Sequence, residues 1–147
     1  SFDETAVFIA RNKALAVAAK TDQHIPVLAA DTIVVCDDMI LGKPADRNDA
    51  IRILQILSGK EHRVITGVVI LFEGREISFA DTTLVDFHTL TEEQVIYYVD
   101  NYKPYDKAGA YAIQEWIGVT GIKSVHGDFY NVMGLPVSRV IRELHLL

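Results

Sequence analysis

An aspartate sits inside an otherwise apolar run, Ala29-Ala30-Asp31-Thr32-Ile33-Val34-Val35. Burying a carboxylate is costly unless it is paired, hydrogen-bonded or bound to a cation. Asp31 therefore either caps local backbone N–H groups or faces a cleft, where it can hold a metal or take a proton from water. Further on, Leu41-Gly42-Lys43-Pro44 places a lysine between a glycine that lets the backbone approach a ligand and a proline that stiffens the loop. Its ammonium can meet a phosphate as a point charge or simply be a solvated turn lysine. It is not a P-loop, because Asp37 and Pro44 stand where Gly and Ser or Thr are required. The stretch Tyr105–Trp116 gathers Lys107, Gly109, Tyr111, Gln114 and Trp116. Gln114 carries a donor and an acceptor able to pair with a base edge, whereas the aromatic residues read as stacking or packing groups. Gly127–Pro136 is a Gly-bounded turn into a last helix, either a plain connection or an anion site on exposed N–H groups.

Other chemistries lack their residues. The five histidines show no metal-ligand spacing, the single Cys36 cannot build a Cys-rich zinc site, and no G-x-S-x-G or G-x-G-x-x-G occurs. Fourteen Lys and Arg face twenty Asp and Glu, a net charge of −6. That balance argues against binding a nucleic acid polymer, yet leaves room for a small anion in a locally basic pocket. One cysteine permits no intrachain disulfide, which fits a reducing, cytoplasmic setting. No apolar stretch approaches the roughly 20 residues of a membrane span, and the start resembles no signal peptide.

The elements that must position these residues follow from periodicity. Glu4–Lys20 reads as a helix, and Ile25–Cys36 as a strand buried on both faces, followed by a short return strand at Met39–Leu41. Asp46 or Asn48 can cap a helix that ends at Ser58-Gly59. His62–Phe72 and Glu76–Phe87 form a hairpin around Glu73-Gly74-Arg75. A helix runs from Thr91 to near Tyr102, a loop-rich segment covers 101–121, a strand lies at Ile122–Val125, and a helix spans Leu135–Leu146 with Pro136 in its first turn. The 147 residues predict one domain: an α/β fold, with a mixed twisted sheet, a long central hairpin and flanking helices.

Four segments in this order resemble the Maf family of nucleoside-triphosphate pyrophosphatases. They are A-R-N-K-A (10–14), A-A-D-T-I-V (29–34) running on to L-G-K-P (41–44), L-S-G-K-E-H-x-V-x-T-G-V (57–68), and D-K-A-G-A-Y-A-I-Q-E (106–115) continuing into G-D-F-Y-N-V-M-G-L-P (127–136). The resemblance spans essentially the whole chain. It implies an inosine-triphosphatase-like fold and cleavage of a nucleoside triphosphate to monophosphate and pyrophosphate, with a divalent cation, Mg or Mn. The D-K-A-G-A-Y-A-I-Q-E form is similar to the branch acting on dTTP and UTP. A non-catalytic nucleotide-binding regulator of cell division, or an enzyme for 7-methyl-GTP or inosine nucleotides, is the alternative.

Position by position, the resemblance implies Asp31 as general base and metal contact, and Thr32 and Gln114 as specificity residues. It implies Lys43 and Lys13 on the phosphate side, and Glu4, in F-D-E-T, in the metal and water shell. It allows a homodimer. The family's opening strand and its Ser-rich loop ending S-P-R-R have no counterpart in this sequence, and the segment between Glu4 and Ala10 is short for the family. The expectation is that residues 1–147 represent the domain without that strand and loop.

Overall fold

A computed structural model describes residues 1–147. Five strands form one sheet in the order β2-β1-β3-β4-β5: β1 (Val27–Cys36), β2 (Met39–Leu41), β3 (Glu61–Phe72), β4 (Arg75–Phe87) and β5 (Ile122–His126). Every neighbouring pair is antiparallel, so the fold mixes helices with strands while strand direction alternates throughout. The central hairpin closes on the Phe72–Arg75 pair. Its two loop residues, Glu73 and Gly74, both have positive φ (49° and 75°), the handedness that matches the twist of the flanking strands.

Helix α1 (Phe2–Ala18) covers one face of the sheet. Its buried residues are Ala6, Ala10 and Ala14, one every fourth position. Small side chains let the helix axis come very close to β3 at Gly67, where a Cβ would lie 2.3 Å from the Ala6 carbonyl carbon. Helices α2 (Arg47–Leu57) and α3 (Glu92–Tyr102) pack together over the largest apolar cluster, with Val34, Val64, Val85 and Phe87 of the sheet. Asp46 caps α2 through the Asp49 N–H, and Thr91 with Gln94 closes a capping box on α3. Helix α6 (Val137–Leu144) places Val140 against Val68, Ile70 and Phe79. Arg139 anchors it by donating to the Ala80 carbonyl at 3.0 Å and lying 4.3 Å from the Phe79 ring centre.

Three short elements occupy segments whose pattern predicts loop: a 3-10 turn at Ala108–Ala110, α4 (Trp116–Gly121) and α5 (Phe129–Met133). Each is too brief to show a helical period. Strand β1 also departs from expectation. It is buried at Val27 and over Ile33–Cys36, and the residues between, Leu28–Thr32, are partly exposed. β2 pairs with Val34–Cys36 alone, so Val27–Ile33 bonds β3 on one side and forms the sheet edge on the other.

Candidate active site

That free edge explains how the cleft is built. Successive residues of a strand point to opposite faces. Asp31 pairs across from Gly67 on the α1 side, while Thr32 pairs with Thr66 on the other. At an edge, side chains from both faces can reach one cavity. A cleft of about 240 Å³ lies there, and Lys13, Asp31, Thr32, Lys43 and Gln114 all line it. Five of the six residues to which the resemblance gives a role thus come together from α1, β1 and two loops.

Lys13, on the rim of α1, donates to Asp31 Oδ1 at 2.8 Å and reaches the Ala30 carbonyl at 3.5 Å. The close approach of α1 to Gly67 brings the lysine within range. Asp31 is 19% exposed at its side chain, against 54% for Lys13, so the carboxylate is recessed and the ammonium open to solvent. The Thr32 hydroxyl donates to the Gly134 carbonyl at 3.3 Å and lies 2.8 Å from the hydroxyl of the buried Thr66. With its one proton committed to Gly134, it accepts from Thr66.

Lys43 and the loop 105–116 are tied together by the Gly109 N–H, which donates to the Gly42 carbonyl at 3.2 Å. Gly109 has φ 73°, and a Cβ there would meet the Val34 side chain at 2.9 Å. Only glycine suits both demands. This loop also brings two charged groups that residue-level reading had not assigned a role, Asp106 and Lys107. Lys107 donates to Asp106 at 3.3 Å. That bond, the Asp106 backbone and nearby Lys43 hold the Asp106 carboxyl below its ordinary range. Three ammonium groups therefore ring a cleft in an acidic protein.

Behind the cleft, Tyr111 places its hydroxyl 2.6 Å from His62 Nε2. Burial drives the imidazole pKa down from 6.5 to about 4 and pushes the phenol up. The far wall is Val132, Met133 and Gly134, at the end of α5. Asn131 fixes that helix, with its amide nitrogen 3.1 Å from each of the Val64 carbonyl, the Asp81 carbonyl and Thr83 Oγ1. The start of α5 is no anion site: the Asp128 side chain already accepts from the Tyr130 N–H. Gly127–Pro136 is thus a connection that builds a wall. Neither Asn131 nor His62 carries a local pattern that marks it; both act through contacts with strands distant in sequence.

Glu4 does not join the others. It is the third residue of α1 and completes a capping box with Ser1, its Oε2 lying 3.2 Å from the Ser1 amino nitrogen. Its side chain is 86% exposed and borders a separate shallow depression with Asp3, Val7, Arg11 and Ala80. The motif F-D-E-T is a helix start, where acids complement the helix dipole. The expected place of Glu4 in a metal shell beside Asp31 therefore differs from the position seen here, outside the cleft that Asp31 lines.

No three His, Cys, Asp or Glu side chains converge to hold a metal by themselves. Magnesium usually takes one or two carboxylates and fills its shell with water and substrate phosphate oxygens. A recessed Asp31 at the mouth of a lysine-lined cleft fits a cation that arrives with a phosphate ligand. No helix is long and apolar enough to cross a membrane.

The family described as Maf-like protein matches residues 2–147. A dTTP/UTP pyrophosphatase of Bacteroides fragilis (strain YCH46) is 47% identical over 145 residues, covering 99% of this chain and 75% of that protein. A dTTP/UTP pyrophosphatase of Porphyromonas gingivalis (strain ATCC 33277) is 46% identical over 144 residues, 97% of this chain and 72% of that protein. One of Cytophaga hutchinsonii is 49% identical over 141 residues, 96% of this chain and 64% of that protein.

Proposed function

The chain belongs to the Maf family, and on that premise we propose that it hydrolyses dTTP and UTP to the monophosphate and pyrophosphate. The observation that carries this reading is the convergence of Lys13, Asp31, Thr32, Lys43 and Gln114 on one cleft, from segments scattered between residues 10 and 115.

The chemistry divides along the cleft. Lys13, Lys43 and Lys107 supply the positive charge a triphosphate needs, since it carries about four negative charges near neutral pH. Asp31 orients a water and takes its proton as the oxygen bonds to the α-phosphorus. The bond from that phosphorus to the bridging oxygen of the β-phosphate breaks, and pyrophosphate leaves with the bridging oxygen. The lysines face the charge that grows on this leaving group, where fixed cations lower the barrier most. Asp31, with the substrate's phosphates, would hold a divalent cation, which would supply Lewis-acid stabilisation of that charge. Thr32 and Gln114 meet the nucleoside: the Thr32 hydroxyl is held by Gly134 and Thr66, and the Gln114 amide reads the pyrimidine edge.

All five side chains stand on one sheet-centred body, which supports treating residues 1–147 as a single domain unit. The same reading places the protein in the cytoplasm, where nucleoside triphosphates are made, and pairs it as a homodimer, which sedimentation would test. The deciding experiment is pyrophosphate release from a panel of triphosphates with magnesium. Turnover should be highest with dTTP and UTP; release of orthophosphate instead, or no release from either, would overturn the proposal.

A further inference from the structure

Gln114 occupies the second central position of a β-turn. The turn is closed by the Glu115 N–H donating to the Ala112 carbonyl at 3.1 Å. Ile113, the other central residue, is buried in the main core, and Gln114 lines the cleft. One atom behind this turn touches both of its ends. The Tyr98 hydroxyl, on α3, accepts from the Ala112 N–H at 3.0 Å and donates to Glu115 Oε1 at 2.7 Å.

The tyrosine is itself immobilised. It is fully buried, stacked on Tyr102 with ring centres 5.1 Å apart and on Trp116 with centres 6.5 Å apart. The turn is confined from the other side as well. Gly118 donates to the Glu115 carbonyl at 2.9 Å, and a Cβ on Gly118 would fall 1.7 Å from the Ile113 oxygen. The segment is therefore packed between α3 and α4, and the Tyr98 hydroxyl is the one side-chain group from outside the turn that bonds to both of its ends.

We propose that Tyr98, through Glu115 and the Ala112 amide, is a specificity-positioning residue that fixes how far Gln114 projects into the cleft. This rests on the reading of Gln114 as the base-contacting residue. A pyrimidine is short, so a glutamine held forward meets its edge and leaves too little room for a purine. A turn released by even an ångström lets the amide retreat and the larger base enter. Geometry of this kind governs the productive binding of one base over another, while Asp31 and the phosphate lysines stay in place.

The test is pyrophosphate release with dTTP and GTP for four variants, with thermal melting in parallel. Tyr98→Phe keeps the ring and removes only the hydroxyl. Its KM for dTTP should rise about tenfold and the dTTP-to-GTP ratio of kcat/KM should fall about fivefold or more, with kcat for dTTP kept within about threefold. Glu115→Ala should shift the ratio in the same direction. Glu115→Gln, whose amide oxygen still accepts from Tyr98, should restore it. Gln114→Ala reports on the underlying reading. If Gln114→Ala leaves the ratio unchanged, the base-contacting role fails. If Gln114→Ala shifts the ratio and Tyr98→Phe does not, the positioning role alone is overturned. Should Tyr98→Phe show no melting transition, the Glu115 pair decides: loss in Ala with rescue in Gln supports the proposal, and an unchanged ratio in Glu115→Ala refutes it.

Discussion

Between about pH 8 and pH 5, acid should weaken this protein through the buried ring of His62. His62 is 2% exposed, its Nε2 held by the Tyr111 hydroxyl and its ring 5.3 Å from the Phe87 centre. Its Nδ1 has no partner. Desolvation lowers the imidazole pKa from 6.5 to about 4. Below its ordinary pKa the unfolded chain takes up a proton on this ring, which the folded protein refuses until the lower value is reached. A group depressed on folding contributes its full stability above the unfolded pKa and loses it as the pH falls. The window therefore runs from 6.5 down to about 4. At about pH 5 the unfolded ring is nearly all protonated and the folded ring only about one-tenth so, a cost of about 2 kcal/mol that grows towards about 3 kcal/mol in stronger acid. Replacing His62 by Phe strands the Tyr111 hydroxyl and should cost about 1–3 kcal/mol near pH 8. It also removes the titrating ring. Urea unfolding of both proteins at several pH values then isolates the effect, because the four other histidines cancel in the difference. The stability gap between the wild type and His62→Phe should shrink by about 2 kcal/mol between about pH 8 and pH 5. Parallel curves across that range would refute the reasoning.

Other perturbations have equally definite outcomes. Asp31→Asn should leave the melting transition in place and lower turnover by about two to four orders of magnitude; turnover equal to the wild type would remove Asp31 from the base role. Chelation should stop pyrophosphate release without moving the melting temperature, because no cluster of side chains holds a metal in the free protein. A large drop in melting temperature on chelation would reveal a resident ion. Gly67→Ala drives a methyl into the α1 backbone and should destabilise by about 3 kcal/mol or more. A loss below about 1 kcal/mol, read from the urea midpoint, would show that α1 slides freely on the sheet.

What could be read in advance divides by range. Asp31 stood out because a charge in an apolar strand is anomalous within a window of a few residues. The β3–β4 hairpin and the caps of α2 and α3 were legible for the same reason: Glu73-Gly74, Asp46 and Thr91 act on their own neighbours. Lys13 looks like any helix lysine until α1 docks and sets it 2.8 Å from Asp31; only the family resemblance had marked it. Glu4 was ambiguous because a short acidic motif satisfies both a metal shell and a helix start, and in the structure it closes a capping box with Ser1. The free edge of β1 is set by the length of β2, not by any residue in β1. Tyr98 and Asn131 were invisible because their partners, at Ala112 and Glu115 and at Val64, Asp81 and Thr83, lie on other elements.

The two-residue turn at Glu73-Gly74 has a further consequence. It lies between two sets of cleft residues. Lys13, Asp31, Thr32 and Lys43 precede it; Lys107, Gln114 and Gly134 follow it. The cleft is thus encoded in two separate stretches of chain, each carrying phosphate-side and nucleoside-side residues, sewn together by the long β3–β4 ladder. A chain cut at this seam yields two fragments, neither holding a whole site, whose reassociation would rebuild the cleft. Hydrolysis would then register the meeting of the two halves, so that whatever brings them together could be read as released pyrophosphate.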